Sequence, residues 1–194
     1  MSKQQPDRPH ASVPTADEFH PRLYVMVGLP AAGKTTLSRR IEVEQRALRF
    51  TPDEWMVPLF GESMANGMRN VLEGRFIATA LRALRLGFNV VLDFGVWSKD
   101  ERTALRWLAS TVGAECQLVY LAIGGSEQWS RVERRFTTAP ESTFPITQSE
   151  LDEWRRIFQT PDQEELEGNG LDPPPLGFDS WGAWVNEWWP TSLS

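Results

Sequence analysis

The sequence predicts an α/β fold, a parallel sheet of four to five strands with helices on both faces. Three observations predict it. Short apolar runs of strand length alternate with segments of helical periodicity, as in successive βαβ units. The first run passes straight into a glycine-bearing turn and then a helical pattern. The length, 194 residues, suits one domain with appendages.

Residues 1–20 are polar and punctuated by Pro6, Pro9 and Pro14, and are expected to form a disordered arm. Both histidines, His10 and His20, fall within it, which argues against a histidine-based catalytic or metal centre. The expected domain spans residues 21–158. Arg22–Val27 (RLYVMV) reads as a buried strand, and a helix follows from Lys34 to about Arg46. Leu48–Phe50 is a brief second strand leading into TPDEW (Thr51–Trp55). Residues 58–69 read as irregular because of Pro58, Gly61 and Gly67. Asn70–Leu86 gathers Val71, Phe76, Ile77, Leu81 and Leu84 opposite an arginine-bearing face, and Gly87 ends that helix.

Asn89–Asp93 (NVVLD) is the third strand. Ser98-Lys-Asp-Glu101 is a capping box opening a helix to about Val112. Cys116–Ile123 is the fourth strand, stopped by Gly124-Gly125. Ser126–Phe136 is helical, Thr137–Pro145 a loop, and Thr147-Gln-Ser-Glu150 a second capping box opening a helix to about Phe158. Residues 159–194 read as an acidic linker, proline-marked over 160–177, and a Trp-rich helix docked on the domain. In that helix Trp181, Trp184 and Trp188 fall at i, i+3 and i+7.

The formal net charge is -6, which disfavours a generic binder of nucleic acid or anionic membrane. The charge is uneven. Residues 139–194 hold eleven acidic and two basic residues, so the acidity belongs to the C-terminal third and the remainder is near neutral and arginine-rich. Of only three lysines, one is Lys34. A single cysteine, Cys116, suits a reducing compartment, and no apolar run reaches membrane-spanning length, so a cytoplasmic protein is expected. Cys116 lies mid-strand with nothing nearby to activate its thiol.

Gly28-Leu29-Pro30-Ala31-Ala32-Gly33-Lys34-Thr35, followed by Thr36, satisfies the phosphate-loop pattern G-x-x-x-x-G-K-[ST]. Glycines let successive N–H groups converge on phosphate oxygens, and the following helix turns its N-terminus to the same anion. Lys34 is the residue expected to reach the β- and γ-phosphates, and the Thr35 hydroxyl to ligate Mg²⁺. ATP with Mg²⁺ is the expected ligand.

GLPAAGKTT (Gly28–Thr36), TPDEW, NVVLDFGVWSKDER (Asn89–Arg102) and the arginine-rich stretch before TFPIT (Thr143–Thr147) together resemble the small AAA-domain P-loop kinases. These are relatives of polynucleotide 5′-kinase, zeta toxin and chloramphenicol phosphotransferase. The resemblance covers roughly residues 22–158 and implies a three-layer α/β/α P-loop fold, strand order 2-3-1-4, with an arginine-bearing lid. It also implies that Asp53 contacts the acceptor hydroxyl as general base or orienter, a role that a carboxylate at the carboxyl end of a strand suits. The alternative for Asp53 is to cap a helix beginning at Glu54. Asp93, ending the third strand, stands where a carboxylate would hold Mg²⁺ through water or bind the acceptor, or else be satisfied by loop N–H groups. Arg131, Arg134 and Arg135 precede the lid loop. Arg131 and Arg135 lead as phosphoryl-binding residues, with ion pairing to Glu127 or Glu133 as the alternative. Arg69 and Arg102 are weaker candidates for acceptor binding, and Trp55 and Trp97 for stacking on an acceptor ring or for ordinary packing.

The expected activity is transfer of the γ-phosphate of ATP to a hydroxyl of a small-molecule or nucleotide-like acceptor. A P-loop ATPase, a nucleotide-dependent adaptor, or a kinase of nucleic-acid 5′-hydroxyls are the alternatives. No Asn-Lys-x-Asp guanine-reading motif occurs, and Asp93 is followed by Phe94 rather than by a water-activating Glu. Neither a membrane nor an obligate protein partner is implied.

Overall fold

The computed structural model describes residues 20–62, 65–138 and 146–193. The expected N-terminal arm up to residue 19, and residues 139–145 of the lid loop, lie outside the described residues. Four strands, β1 (Arg22–Val27), β2 (Ala47–Phe50), β3 (Asn89–Val96) and β4 (Glu115–Tyr120), form one parallel sheet in the order β2-β3-β1-β4. The sheet is that of a P-loop NTPase fold.

Side chains alternate across the sheet and fill a core on each face. Leu23, Val25 and Val27 of β1, with Val90 and Leu92 of β3, pack against Phe76, Ile77 and Leu84 of α3 (Met68–Arg85) and Leu105 and Leu108 of α4 (Lys99–Thr111). Tyr24, Met26, Ala47 and Val91 face the other way, onto Leu37 and Ile41 of the helix α1 (Lys34–Glu44). Parallel connections bring the carboxyl ends of all four strands to one rim. That rim carries the phosphate loop.

Several boundaries differ from the sequence expectation. A helix, α2 (Asp53–Phe60), occupies the start of the stretch read as irregular and includes Pro58. Pro58, the sixth of its eight residues, removes the N–H that would reach the Glu54 carbonyl, and because both residues are exposed, water can serve that carbonyl instead. The third strand runs three residues past Asp93, through a register shift between Val25 and Val27 of its neighbour β1. The fourth strand stops at Tyr120, short of Ile123, although the Leu121 N–H still donates to the Val27 carbonyl. Both capping boxes form: Ser98 with Glu101 opens α4, and Thr147 with Glu150 opens α6 (Gln148–Ile157).

The acidic stretch read as a linker carries the short helix α7 (Gln163–Leu166) and is pinned to α4. Arg102, fully buried, gives a two-bond ion pair to Glu165 at 2.8 and 3.0 Å, and Arg106 donates to the carbonyls of Asn169 and Gly170. In α8 (Trp181–Trp188) the buried set is Trp181, Trp184 and Val185, continued by Trp189, which is 1% exposed. Trp188, expected on that stripe, is instead half-exposed and stacks on Trp184. The residues face inward at i, i+3, i+4 and i+8 rather than i+7. Among the described residues no helix is long and apolar enough to cross a membrane.

Candidate functional site

The loop between β1 and α1 is built by backbone geometry. Gly28 (φ 146°) and Gly33 (φ 101°) hold conformations that disfavour any Cβ, and Ala31 between them adopts φ 64°. At Gly28 a Cβ would come 2.7 Å from the Leu121 carbonyl oxygen, so only glycine lets the loop press against the end of β4. Gly33 precedes α1 without a side-chain cap, and no acid lies in the first turn. The N–H groups and dipole of that turn are thus aimed at the space above the loop. Leu29 and Ala32 are buried, whereas Thr35 and Thr36 are exposed.

Lys34 lies folded along this loop, its Nζ donating to the Gly28 and Leu29 carbonyls at 2.9 Å each. Burial lowers its pKa, opposed first by the charge of Asp93 and then by that of Asp53, while Arg135 pushes the same way as burial. Asp53, Asp93 and Arg135 therefore all sit within electrostatic reach of Lys34, although the four residues come from four different elements.

Asp93 is buried beneath the loop. Ser38 Oγ donates to its Oδ2 at 2.8 Å, and Arg49 Nη1 stands 3.4 Å from the same oxygen. The satisfying groups are thus a hydroxyl and a guanidinium, not the loop N–H groups considered from sequence. Burial pushes the Asp93 carboxyl up, with Ser38, Arg49, Lys34 and the Thr35 hydroxyl holding it down. Thr35 and Asp93 supply hard oxygen donors on the exposed and buried sides of the same spot. That donor set fits Mg²⁺, which keeps much of its own water.

Asp53 is not a helix cap: Pro52 holds the cap position of α2 and Asp53 is the first helical residue. Its side chain is 73% exposed and is held by Arg69 Nη1 at 2.9 Å. Arg69 also bonds Glu73, one turn along α3, at 3.0 Å.

The helix α5 (Gly125–Thr138) reaches the loop from the β4 side. Arg131 Nη1 donates to the Ala31 carbonyl at 3.1 Å while its Nη2 pairs with Glu127 at 2.6 Å, so loop contact and ion pair coexist in one guanidinium. Arg135 is exposed and has no ion pair among the described residues, and the same holds for Arg134. Arg102, considered for acceptor binding, is spent on Glu165 and lies outside the site. Trp97 packs on Trp154 of α6, whereas Trp55 is half-exposed, with its edge on Phe76.

Three residues of the site escaped the sequence reading. Arg49 is 8% exposed and links Asp93 to Glu42 and Glu54. An arginine between two apolar residues of a strand was the available signal. Gln128 is fully buried in α5, its Nε2 donating to the Pro30 carbonyl at 2.9 Å. Arg155 of α6 donates to Gln128 Oε1 and to the Ile123 carbonyl, bracing that support. Arg155 also lines a cavity of about 470 Å³ between α5 and α6, with Ser126, Trp129, Gln148 and Asp152. Cys116 is inert, its thiol pushed up to about 12 by desolvation.

A family model described as an AAA domain matches residues 23–161, which hold the loop, Asp53, Asp93, Arg131, Arg134 and Arg135. No curated protein matches the sequence. Among solved structures, Kti12 of Chaetomium thermophilum in complex with ADP-AlF3 superposes with a TM-score of 0.60 at 19% identity, over 86% of this chain and 95% of that one. A chain of the Pnkp1/Rnl/Hen1 RNA repair complex gives 0.60 at 20% identity, over 86% of this chain. The present chain spans about half of that chain's length, 53%. A gluconokinase of Sinorhizobium meliloti gives 0.50 at 18%, over 75% and 79% of the two chains. At these identities the likeness is one of fold.

Proposed function

The chain belongs to the AAA-domain family, with the fold of P-loop kinases, and on that premise we propose that it transfers the γ-phosphate of ATP to a hydroxyl of a small-molecule acceptor. One observation carries the reading. Asp53 is an exposed carboxylate beyond the end of β2, held by Arg69 at 2.9 Å and close enough for its charge to act on Lys34.

The roles follow from position. N–H groups of residues 28–36 and the first turn of α1 cradle the phosphates, and Lys34 leaves its two carbonyl partners for the β- and γ-oxygens. Asp53 accepts the proton of the acceptor hydroxyl as its oxygen attacks the γ-phosphorus. The bond from that phosphorus to the bridging oxygen breaks, and ADP departs with the electron pair. Arg131 is anchored at the loop and Arg135 is exposed with no ion pair among the described residues, so these two guanidiniums are the ones to meet the charge on the transferring group. Thr35 and Asp93 would hold Mg²⁺, which neutralises phosphate charge when bound. A small acceptor is favoured because residues 1–138 carry only a slight positive surplus, too little for a polyanion track.

Phosphate transfer from labelled ATP to pooled nucleosides, aminoglycosides, nucleotide sugars and 5′-hydroxyl oligonucleotides tests the reading. The expected outcome is one acceptor class labelled by the wild type and not by Lys34→Ala. Asp53→Asn should bind ATP normally and fail to transfer. A protein that binds no ATP in the presence of Mg²⁺ sinks the proposal.

A further inference from the structure

The acceptor half of this site is connected to the C-terminal tail by an unbroken chain of polar contacts. Arg69, whose side chain is 20% exposed, holds Asp53 through Nη1 and turns its Nε to Glu73 Oε1. The other oxygen of that carboxylate, Oε2, accepts the indole N–H of Trp189 at 3.1 Å. Glu73 is itself only 14% exposed and so has little water to share its charge. Its two oxygens join two elements more than a hundred residues apart.

The tail is seated to make this bond. Beside Glu73, Gly74 has no Cβ, and one there would overlap the Pro190 carbonyl oxygen and come within 3.0 Å of that of Trp189. Asn70 Nδ2 donates to the Trp188 carbonyl at 3.1 Å, and the Trp188 indole N–H donates to Glu101 of α4 at 3.2 Å. Three successive tail residues are thus held on the same helix face that presents Arg69.

We propose that Glu73 is a positioning residue for the acceptor half of the site, conveying the docked state of the Trp188–Trp189 tail through Arg69 to Asp53. The inference rests on the reading of Asp53 given above. When the tail is seated and Glu73 is ionised, Arg69 is fixed from both sides and Asp53 stands ready for the acceptor. When Glu73 is protonated, or when Trp189 no longer orients its carboxylate, the grip on Arg69 weakens and Asp53 is held less firmly.

The charged groups facing Glu73 are Arg69 from its own helix and Glu101 from α4, and the tail contributes only neutral indoles. Burial, the largest influence, pushes Glu73 up to about 7, opposed by Arg69 and the Trp189 N–H and aided by Glu101. The relay is therefore engaged above neutrality and released below it.

Arginine side-chain ¹⁵N–¹H spectra of the full chain test the relay without ATP or acceptor. The Arg69 Nε–H signal is assigned by its loss in Arg69→Lys. In wild type it should titrate with a midpoint near 7. The titration should vanish in Glu73→Gln and move to higher pH in Trp189→Phe, which keeps a ring in the tail but removes the N–H. ATP turnover, with an acceptor from the screen or with water, should follow the same midpoint in wild type. In Glu73→Gln it should be pH-flat and lower by on the order of tenfold to a hundredfold in kcat, with MgATP affinity unchanged. An Arg69 signal that does not titrate, or that ignores Trp189→Phe in a folded protein, overturns the relay. Failure of wild type to bind ATP overturns the phosphotransfer reading instead and leaves the spectroscopic result standing.

Discussion

Ser38 Oγ donates to Asp93 Oδ2 at 2.8 Å, tying the phosphate-loop helix to the central strand just below the position expected for a metal ion. Both side chains are essentially inaccessible, and Arg49 closes the far side of the carboxylate. Asp93→Asn should abolish the difference in ATP affinity between buffers with and without Mg²⁺, read by calorimetric titration. Arg49 keeps Glu42 and Glu54 as partners, so the accompanying stability loss should be small, about 1 kcal/mol. An unchanged Mg²⁺ dependence would show that Asp93 serves the fold alone.

Gly28 is a point at which the loop admits no substitute. Its φ of 146° and the Leu121 carbonyl 2.7 Å from a would-be Cβ mean that alanine must move either the loop or the end of β4. Strain of this kind costs about 1–3 kcal/mol, which a core of this size survives. The cradle itself tolerates no such shift. Gly28→Ala is therefore expected to fold and melt a few degrees lower, while ATP no longer raises its melting temperature. Retained thermal stabilisation by ATP would contradict this account.

The loop and the succession of strands and helices were legible because both rest on local signals, a spaced motif and apolar runs alternating with helical ones, whereas the spatial order of the strands followed only from the resemblance. What surrounds the loop was less legible. Gln128 and Arg155 support Pro30 through contacts that cross about a hundred residues and about thirty, and nothing local distinguishes them from other polar residues of amphipathic helices. The stretch around Pro173–Pro175 reads as linker because its composition is acidic and proline-rich, yet Arg102 and Arg106 of α4 bind it at two points. Trp189, not Trp188, completes the buried face, since the chain leaves the helix at Trp189 and turns that ring inward. Asp53 was placed by resemblance, whereas its partner Arg69 was named without any sign that the two would meet.

The ion pair between Arg102 and Glu165 should be the costliest single break in the tail. With side chains 0% and 3% exposed, neither charge can turn to water if its partner is removed. Glu165→Ala is expected to lower stability by about 3–5 kcal/mol, measured by denaturant unfolding. By contrast Lys99, which pairs with Asp162 and Asp172 on the surface, should leave the midpoint unchanged when replaced by alanine. Similar effects of the two substitutions would mean that α7 is not anchored by Arg102.

Glu73 makes a last prediction, about stability rather than activity. Its folded pKa of about 7 lies above the ordinary value of 4.5, so the neutral form is the one folding favours. The stabilising contribution is therefore complete below pH 4.5 and is lost as pH rises through about 7. A shift of this size corresponds to about 3 kcal/mol. Glu73→Gln mimics the neutral acid at every pH, and the difference in unfolding free energy between variant and wild type should move in the variant's favour by that order between pH 4.5 and 8. Denaturant titrations at several pH values measure it, with other carboxylates cancelling because both proteins carry them. A difference independent of pH would place Glu73 in water rather than between Arg69 and Trp189. The expected slope instead means that ionising Glu73, the state that grips Arg69, costs the fold stability near neutral pH.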